Sequence, residues 1–239
     1  SITNTIANHM KNKMKEAKIF NEWPERYDRW FETPIGKLIL YFESKLLIEM
    51  LRPKPGEWTL DAGCGTGGFT RCLLEEGPCF VGLDISFPML FKAGKKLARY
   101  PFSMVQGDMG DLPFADNQFD KTISVTTIEF IVNARNAIDQ LFRVTRPGGS
   151  IVVATLNSLS PWATRRKVAG EKGHPIFKNV IFRSPKEMNQ LASMTPLLKT
   201  AIHFQKHDKP LQAKKIEERG RSIGADTGAF LVARWKKPV

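Results

Sequence analysis

The stretch Asp61-Ala62-Gly63-Cys64-Gly65-Thr66-Gly67-Gly68 follows an apolar run and sets a carboxylate beside four glycines. Glycines let a backbone approach a ligand closely and turn sharply into a helix N-terminus. Taken alone, Gly63-x-Gly65-x-x-Gly68 fits a dinucleotide fingerprint, and Asp84, at the end of the next expected strand, fits its ribose-binding acid. Asp61 separates the readings. A carboxylate where a strand enters the glycine loop repels a pyrophosphate. It suits an ammonium group, which gains a charge-assisted hydrogen bond.

S-adenosylmethionine carries such an ammonium together with a ribose and an adenine. Asp84 can take both ribose hydroxyls. Gly107-Asp108-Met109 can supply an acid for the adenine amino group and an apolar wall for its ring. Elsewhere, Tyr27, Trp30 and Phe31 form an aromatic cluster that is either a packed helix or a lid excluding water. Glu129 fits a general base or substrate anchor, and equally a helix N-terminal acid favoured by the dipole. Trp162 offers a flat apolar surface, and Arg165, Arg166 and Lys167 beside it are the best cations for an anionic acceptor. The histidines show no metal-ligand spacing, so no metal is expected.

These groups need a frame. Alternating strand and helix signals supply one. Strands are expected at Trp58–Ala62, Cys79–Asp84, Phe102–Gln106, Phe119–Thr126 and Ser150–Thr155. Helices are expected at Gly68–Glu76, Pro88–Arg99 and Ala134–Val144, with a tight turn at 146–149. That rhythm predicts a parallel sheet covered on both faces. Upstream, residues 3–20 read as a polar helix or frayed arm and 37–51 as an amphipathic helix. Downstream, 157–183 is basic and irregular or partly helical. Ser184-Pro185-Lys186-Glu187 starts a helix with a capping box. Leu198–Phe204 and Ala229–Trp235 read as two last strands joined by a long polar loop.

The chain has 239 residues and a net charge of +12. Residues 161–239 hold 17 Lys/Arg against 6 Asp/Glu, so nearly all the excess lies in the last third. That is an electropositive face for an anionic partner or a solvated surface. The three cysteines, at 64, 72 and 79, fit a reducing compartment. No apolar run reaches a membrane span, and the polar, Lys-rich Ser1–Lys18 is no secretory signal. A cytoplasmic location is the expectation.

The sequence resembles the class I S-adenosylmethionine-dependent methyltransferases, especially the small-molecule group with the ubiquinone and menaquinone C-methyltransferases. The matching segments are LDAGCGTG (60–67), GLDIS (82–86) with Pro88-Met89-Leu90, GDMGDLPF (107–114), FDKTIS (119–124) and RPGG (146–149). The Tyr27–Phe31 stretch resembles the cap of some members. The resemblance implies a Rossmann-like, doubly wound, mostly parallel seven-stranded sheet. It implies a helical cap over residues 1–52 and a domain over 53–239, with the cofactor half at 58–155 and the substrate side at 156–239.

It further implies that Asp61, Ala62, Gly63, Gly65 and Gly67 hold the methionine end, with Cys64 a small loop residue among them. Asp84, Ile85 and Met89 would serve the ribose side, and Gly107, Asp108 and Met109 the adenine. Val125 and Thr126 would lie beside the sulfonium. Glu129 departs from the His, Arg or Asn that many members carry nearby. Tyr27 and Glu129 are the catalytic candidates, and Trp30, Phe31, Trp162 and Arg165 the acceptor-binding ones.

The implied reaction is in-line methyl transfer to a small, anionic or aromatic acceptor, for which alignment alone can contribute roughly 7–11 kcal/mol. Two alternatives stand: an RNA methyltransferase using the basic C-terminal third, and a protein that holds S-adenosylmethionine without turnover.

Overall fold

The computed structural model describes residues 20, 21 and 29–239. The expected helix over 3–20, apart from Phe20, and Tyr27 lie outside the described residues.

Helix α1 (Pro34–Leu51) starts where Thr33 accepts a hydrogen bond from the Gly36 amide at 3.1 Å and Pro34 occupies the first turn. It ends at Arg52, whose φ of 50° breaks the helical repeat. Its buried face includes Ile39, Phe42, Leu46, Leu47 and Met50. Gly36 is needed because a Cβ there would run into the carbonyl and ring of Trp30.

Strands and helices then alternate: β1 (Trp58–Ala62), α2 (Gly68–Leu74), β2 (Cys79–Asp84), α3 (Phe87–Lys96), β3 (Phe102–Gln106) and β4 (Phe119–Val125). A 3-10 turn (Ile128–Phe130) precedes α4 (Ala134–Val144) and β5 (Thr145–Leu156). Beyond it lie α5 (Pro161–Glu171), α6 (Pro185–Asn189), β6 (Leu197–Ala201), α7 (Pro210–Ser222) and β7 (Phe230–Lys236). The seven strands form one sheet in the order β3-β2-β1-β4-β5-β7-β6. Only β7 runs antiparallel to its neighbours.

Two apolar layers sandwich the sheet. One joins α1, α2, Trp162 and Phe204 to Val125, Val152, Ala154 and Phe230. The other joins Ile138, Leu141 and Val144 of α4 to Leu60, Ile151, Val153 and Trp235. Burial on both faces explains why the central strands read as nearly continuous apolar runs.

Two expectations change. The turn at 146–149 lies within β5 as a bulge: Phe119 pairs with Thr145, but Lys121 pairs with Ser150. Gly148 takes φ 75° there, as a bulge requires. The long polar loop after β6 contains α7, whose Ala213, Glu217 and Gly220 face inward. Gly220 looks like a breaker in sequence. In the fold it leaves room for the His203 ring, which a Cβ would overlap. Among the described residues, no helix is long and apolar enough to cross a membrane.

Candidate active site

The parallel strands all end on one edge, and the loops leaving them meet there, as ligand sites in open α/β sheets require. After β1 the chain turns through Gly63, Gly65 and Gly67, with φ of 82°, 53° and 75°. Side chains rarely adopt these angles, so glycine is demanded. The Gly63 and Cys64 amides donate to the Leu83 carbonyl at 2.6 and 3.0 Å. Gly65 faces open space where a Cβ would be. The loop thus presents bare backbone outward.

Asp61 is 2% exposed. Its Oδ2 accepts from the Thr70 hydroxyl at 2.6 Å, while Oδ1 is buried without a hydrogen-bond partner. Burial pushes its pKa up to about 7, against the Thr70 hydrogen bond. A carboxylate oxygen left unpaired in the interior is costly unless a ligand serves it. Asp84 accepts from the Gly65 amide at 2.8 Å and the Ser86 amide at 2.9 Å. Burial raises its pKa, and those amides oppose the shift. Asp84 therefore ties the loop after β2 to the glycine loop while keeping lone pairs for a ligand.

The remaining cofactor candidates divide by where their side chains go. Ile85 is half-buried, and its carbonyl accepts from the Gln106 side chain. Asp108 accepts from the Gly110 amide at 2.7 Å, and the Gly107 amide donates to the Asp84 carbonyl at 3.1 Å. Ala62, Met89, Met109 and Val125 are buried, and Met109 sulfur receives the Ser124 hydroxyl. Cys64 is buried against Gly82, where a Cβ would lie 2.8 Å from its sulfur; burial raises its thiol pKa well above the usual value. It is a packed group, not a thiolate. Thr126 has φ 48°, so the chain turns abruptly after β4. Thr127 follows and donates to the Gly63 carbonyl at 3.2 Å.

Glu129 lies in the 3-10 turn, 1% exposed, with Thr155 of β5 donating to it at 3.2 Å. Burial pushes its pKa up to about 7. Arg183 braces this turn by donating to the carbonyls of Ile128 at 2.9 Å and Ile131 at 3.4 Å. Trp30 stacks on Phe31, Phe31 meets Phe69 of α2 edge-on, and Phe69 stacks on Phe230 of β7. Phe20 and Asn21 reach the site from the N-terminal side. Phe20 packs edge-on against Phe130, and Asn21 accepts from the Ser86 hydroxyl at 2.6 Å. Trp162 is buried, with its indole N–H donated to the Phe204 carbonyl at 2.7 Å. Arg165 points outward to Gln205, whereas Arg166 is half-buried over the Trp162 ring.

Sequence reasoning missed Thr70, Thr127, Arg183 and Glu43. Only Glu43 left a signal: a lone acid inside the apolar stripe of α1. Among the described residues, no group of His, Cys, Asp and Glu is arranged to hold a metal.

Residues 60–153 match the family model described as "Methyltransferase domain". A malonyl-[acyl-carrier protein] O-methyltransferase of Serratia marcescens is 33% identical over 64% of this chain and 56% of its own length. A demethylmenaquinone methyltransferase of Tropheryma whipplei is 33% identical over 61% of this chain and 60% of its own length. The chain thus spans little more than half of these relatives. Among solved structures, a methyltransferase of Thermotoga maritima described as a possible histamine N-methyltransferase superposes with a TM-score of 0.68. It is 23% identical and covers 92% of this chain and 99% of its own. A phosphoethanolamine N-methyltransferase of Haemonchus contortus gives 0.61 at 17% identity, over 92% of this chain and 60% of its own. At such identities these structures speak for the fold alone. The segment that matches the family model, residues 60–153, runs from β1 into β5 and so contains the glycine loop, Asp61, Asp84 and Asp108.

Proposed function

We propose that the protein is an S-adenosylmethionine-dependent methyltransferase acting on a small-molecule acceptor. The observation that carries this reading is the unpartnered, buried Asp61 Oδ1 beside a glycine loop held in left-handed conformations. An ammonium group fits that oxygen, and the bare backbone at Gly65 leaves room for a ligand chain. S-adenosylmethionine, when bound, supplies an electrophilic methyl group on a sulfonium centre. Asp61 would bind the ammonium, Asp84 the ribose hydroxyls, and Asp108 the adenine edge. Thr127 ties the backbone after β4 to the glycine loop and the Thr126 amide ties it to Ala154 of β5, which would set the line along which an acceptor approaches. The aromatic chain from Trp30 to Phe230 excludes water from that line.

The domain division follows the same logic, with the N-terminal residues through α1 as the cap and the remainder as the catalytic domain. A screen of quinols, phenols, thiols, amines and RNA with labelled methyl donor tests the proposal. Label transferred to a small acceptor supports it. Label transferred only to RNA would replace it with the nucleic-acid reading.

A further inference from the structure

Helix α3 turns an apolar face outward. Phe87 and Phe91, one helical turn apart, are 55% and 49% exposed, with ring centres 6.3 Å from each other. Met104 of β3 is 48% exposed and extends the face: a Cβ on Gly94 would lie 3.0 Å from its sulfur, so its side chain lies against the next turn of α3. Single exposed apolar residues are ordinary, but a contiguous set marks a contact surface. β3 is also the edge strand, so the sheet does not continue past this face.

The charge here has one sign. The 23 residues from Ile85 to Gly107 hold Lys92, Lys95, Lys96 and Arg99 and no acid. Residues 61–160 together carry 9 Lys/Arg against 10 Asp/Glu, so the cations are gathered on this element within a nearly neutral region. Lys96 turns back to donate to Thr66 of the glycine loop at 3.1 Å. Lys92, Lys95 and Arg99 form no ion pair among the described residues, and the Lys95 ammonium sits over the Phe91 ring, 4.3 Å from its centre. The flanking acids are committed elsewhere: Asp84 is buried in the site, and Asp108 accepts the Gly110 amide.

We propose that this face docks on an anionic membrane surface. Phe87, Phe91 and Met104 enter the interfacial layer, while Lys92, Lys95 and Arg99 meet lipid phosphates. Apolar groups ringed by long cationic side chains gain from both terms of interfacial binding, burial and electrostatic attraction. A second copy on the same face would set cation against cation. A folded acidic partner would need groups that fix its register, and charge of a single sign supplies none; a fluid lipid surface needs none. Because α3 begins just after Asp84, docking would hold that edge of the sheet near the bilayer. The inference stands on this surface alone and does not need the methyltransferase reading.

The test is sedimentation of the full chain with vesicles of phosphatidylcholine alone and of phosphatidylcholine mixed equally with phosphatidylglycerol. The wild type is expected to partition to the mixed vesicles about tenfold more strongly, or better. Lys92→Gln/Lys95→Gln/Arg99→Gln should weaken that binding about fivefold per charge removed, the worth of one cation near an anionic surface. Phe87→Ser/Phe91→Ser should weaken it about tenfold while keeping the preference for anionic lipid. Both variants should melt near the wild type, since the replaced groups lie at the surface; should the phenylalanine variant unfold, the cation variant decides.

Equal partitioning to both compositions, or none, overturns the proposal. So does binding to mixed vesicles that neither variant weakens, which would move the contact to the basic C-terminal third. A wild type that is dimeric without lipid and becomes monomeric in Phe87→Ser/Phe91→Ser also overturns it, by giving the face to a second copy.

Discussion

Asp61, Glu43 and Glu129 are acids that the fold withdraws from water, Asp61 and Glu129 almost wholly and Glu43 in part. Burial raises all three pKa values, to about 7, 8 and 7 respectively. Unfolded, each titrates near 4. The native state therefore holds more protons than the unfolded state between those limits. Their contribution to stability is fully present below about pH 4 and is lost as pH rises through 7 to 8. Glu49 and Glu187 have lowered values and act in the acid range instead. The thermal midpoint of the ligand-free protein is thus expected to fall from pH 5 to pH 8, and Glu43→Gln should flatten that fall. Calorimetry at several pH values checks it; a midpoint rising over this range would mean that these acids ionise freely. Asp84→Ala removes the acceptor for two amides as well as any ribose contact, so both stability and cofactor affinity should drop, the latter by roughly 1–3 kcal/mol. Unchanged affinity in the folded variant would place the ribose elsewhere.

The elements hold these acids in place with ordinary signals. Gly77-Pro78 separates α2 from β2, and Ser86, Asn133 and Ser160 each accept an amide hydrogen bond at a helix start. Such chemistry is local, which is why β1, β2, β3 and α4 were legible in the sequence to the residue. The capping box at Ser184 was legible for the same reason. What was not legible depends on distant partners. Gly220 signals a loop until the His203 ring is seen in its Cβ space, and Thr70 gives no local sign of the Asp61 carboxylate to which its hydroxyl donates. Arg183 offers no local hint of the turn it braces. Trp30 packs closely against Gly36 at the start of α1. Gly36→Ala should force that contact apart and destabilise the protein by about 1–3 kcal/mol, read as a lower thermal midpoint. In hydrogen exchange, the amides of residues 29–33 should slow on adding S-adenosylhomocysteine if this cap closes over the site. Equal rates in both states would make it a fixed packing element.

Across the whole molecule, the basic excess is less available than composition suggests. Lys199 and Arg221 both pair with Glu49 of α1. Lys237 donates to the carbonyls of Phe142 and Thr145 at 2.6 Å, tying the end of β7 to the end of α4. Arg183 and Arg166 turn inward. A groove of about 1150 Å³ between α1, α7 and β6 carries Lys37, Lys45, Lys199, Lys214 and Arg221, but Glu217, Glu218 and Asp226 line it too, and Lys199 and Arg221 are the two cations held by Glu49. Mixed charge of this kind suits a solvated surface better than a phosphate track. RNA affinity at physiological salt is therefore expected to be weak, and Lys214→Ala should leave methyl transfer unchanged. Tight RNA binding that falls steeply with salt and weakens in that variant would reverse this view.

The central claim is that the edge built around Asp61 and Asp84 holds S-adenosylmethionine. Calorimetric titration of the wild type and Asp61→Asn with S-adenosylmethionine, S-adenosylhomocysteine and NAD tests it most directly. The account expects micromolar-range binding of both sulfur ligands and none of NAD. Asp61→Asn should weaken the sulfur ligands by about 1–3 kcal/mol, through loss of the charged partner for their ammonium. Binding of NAD without either sulfur ligand, or sulfur ligands held equally well by Asp61→Asn, would contradict it.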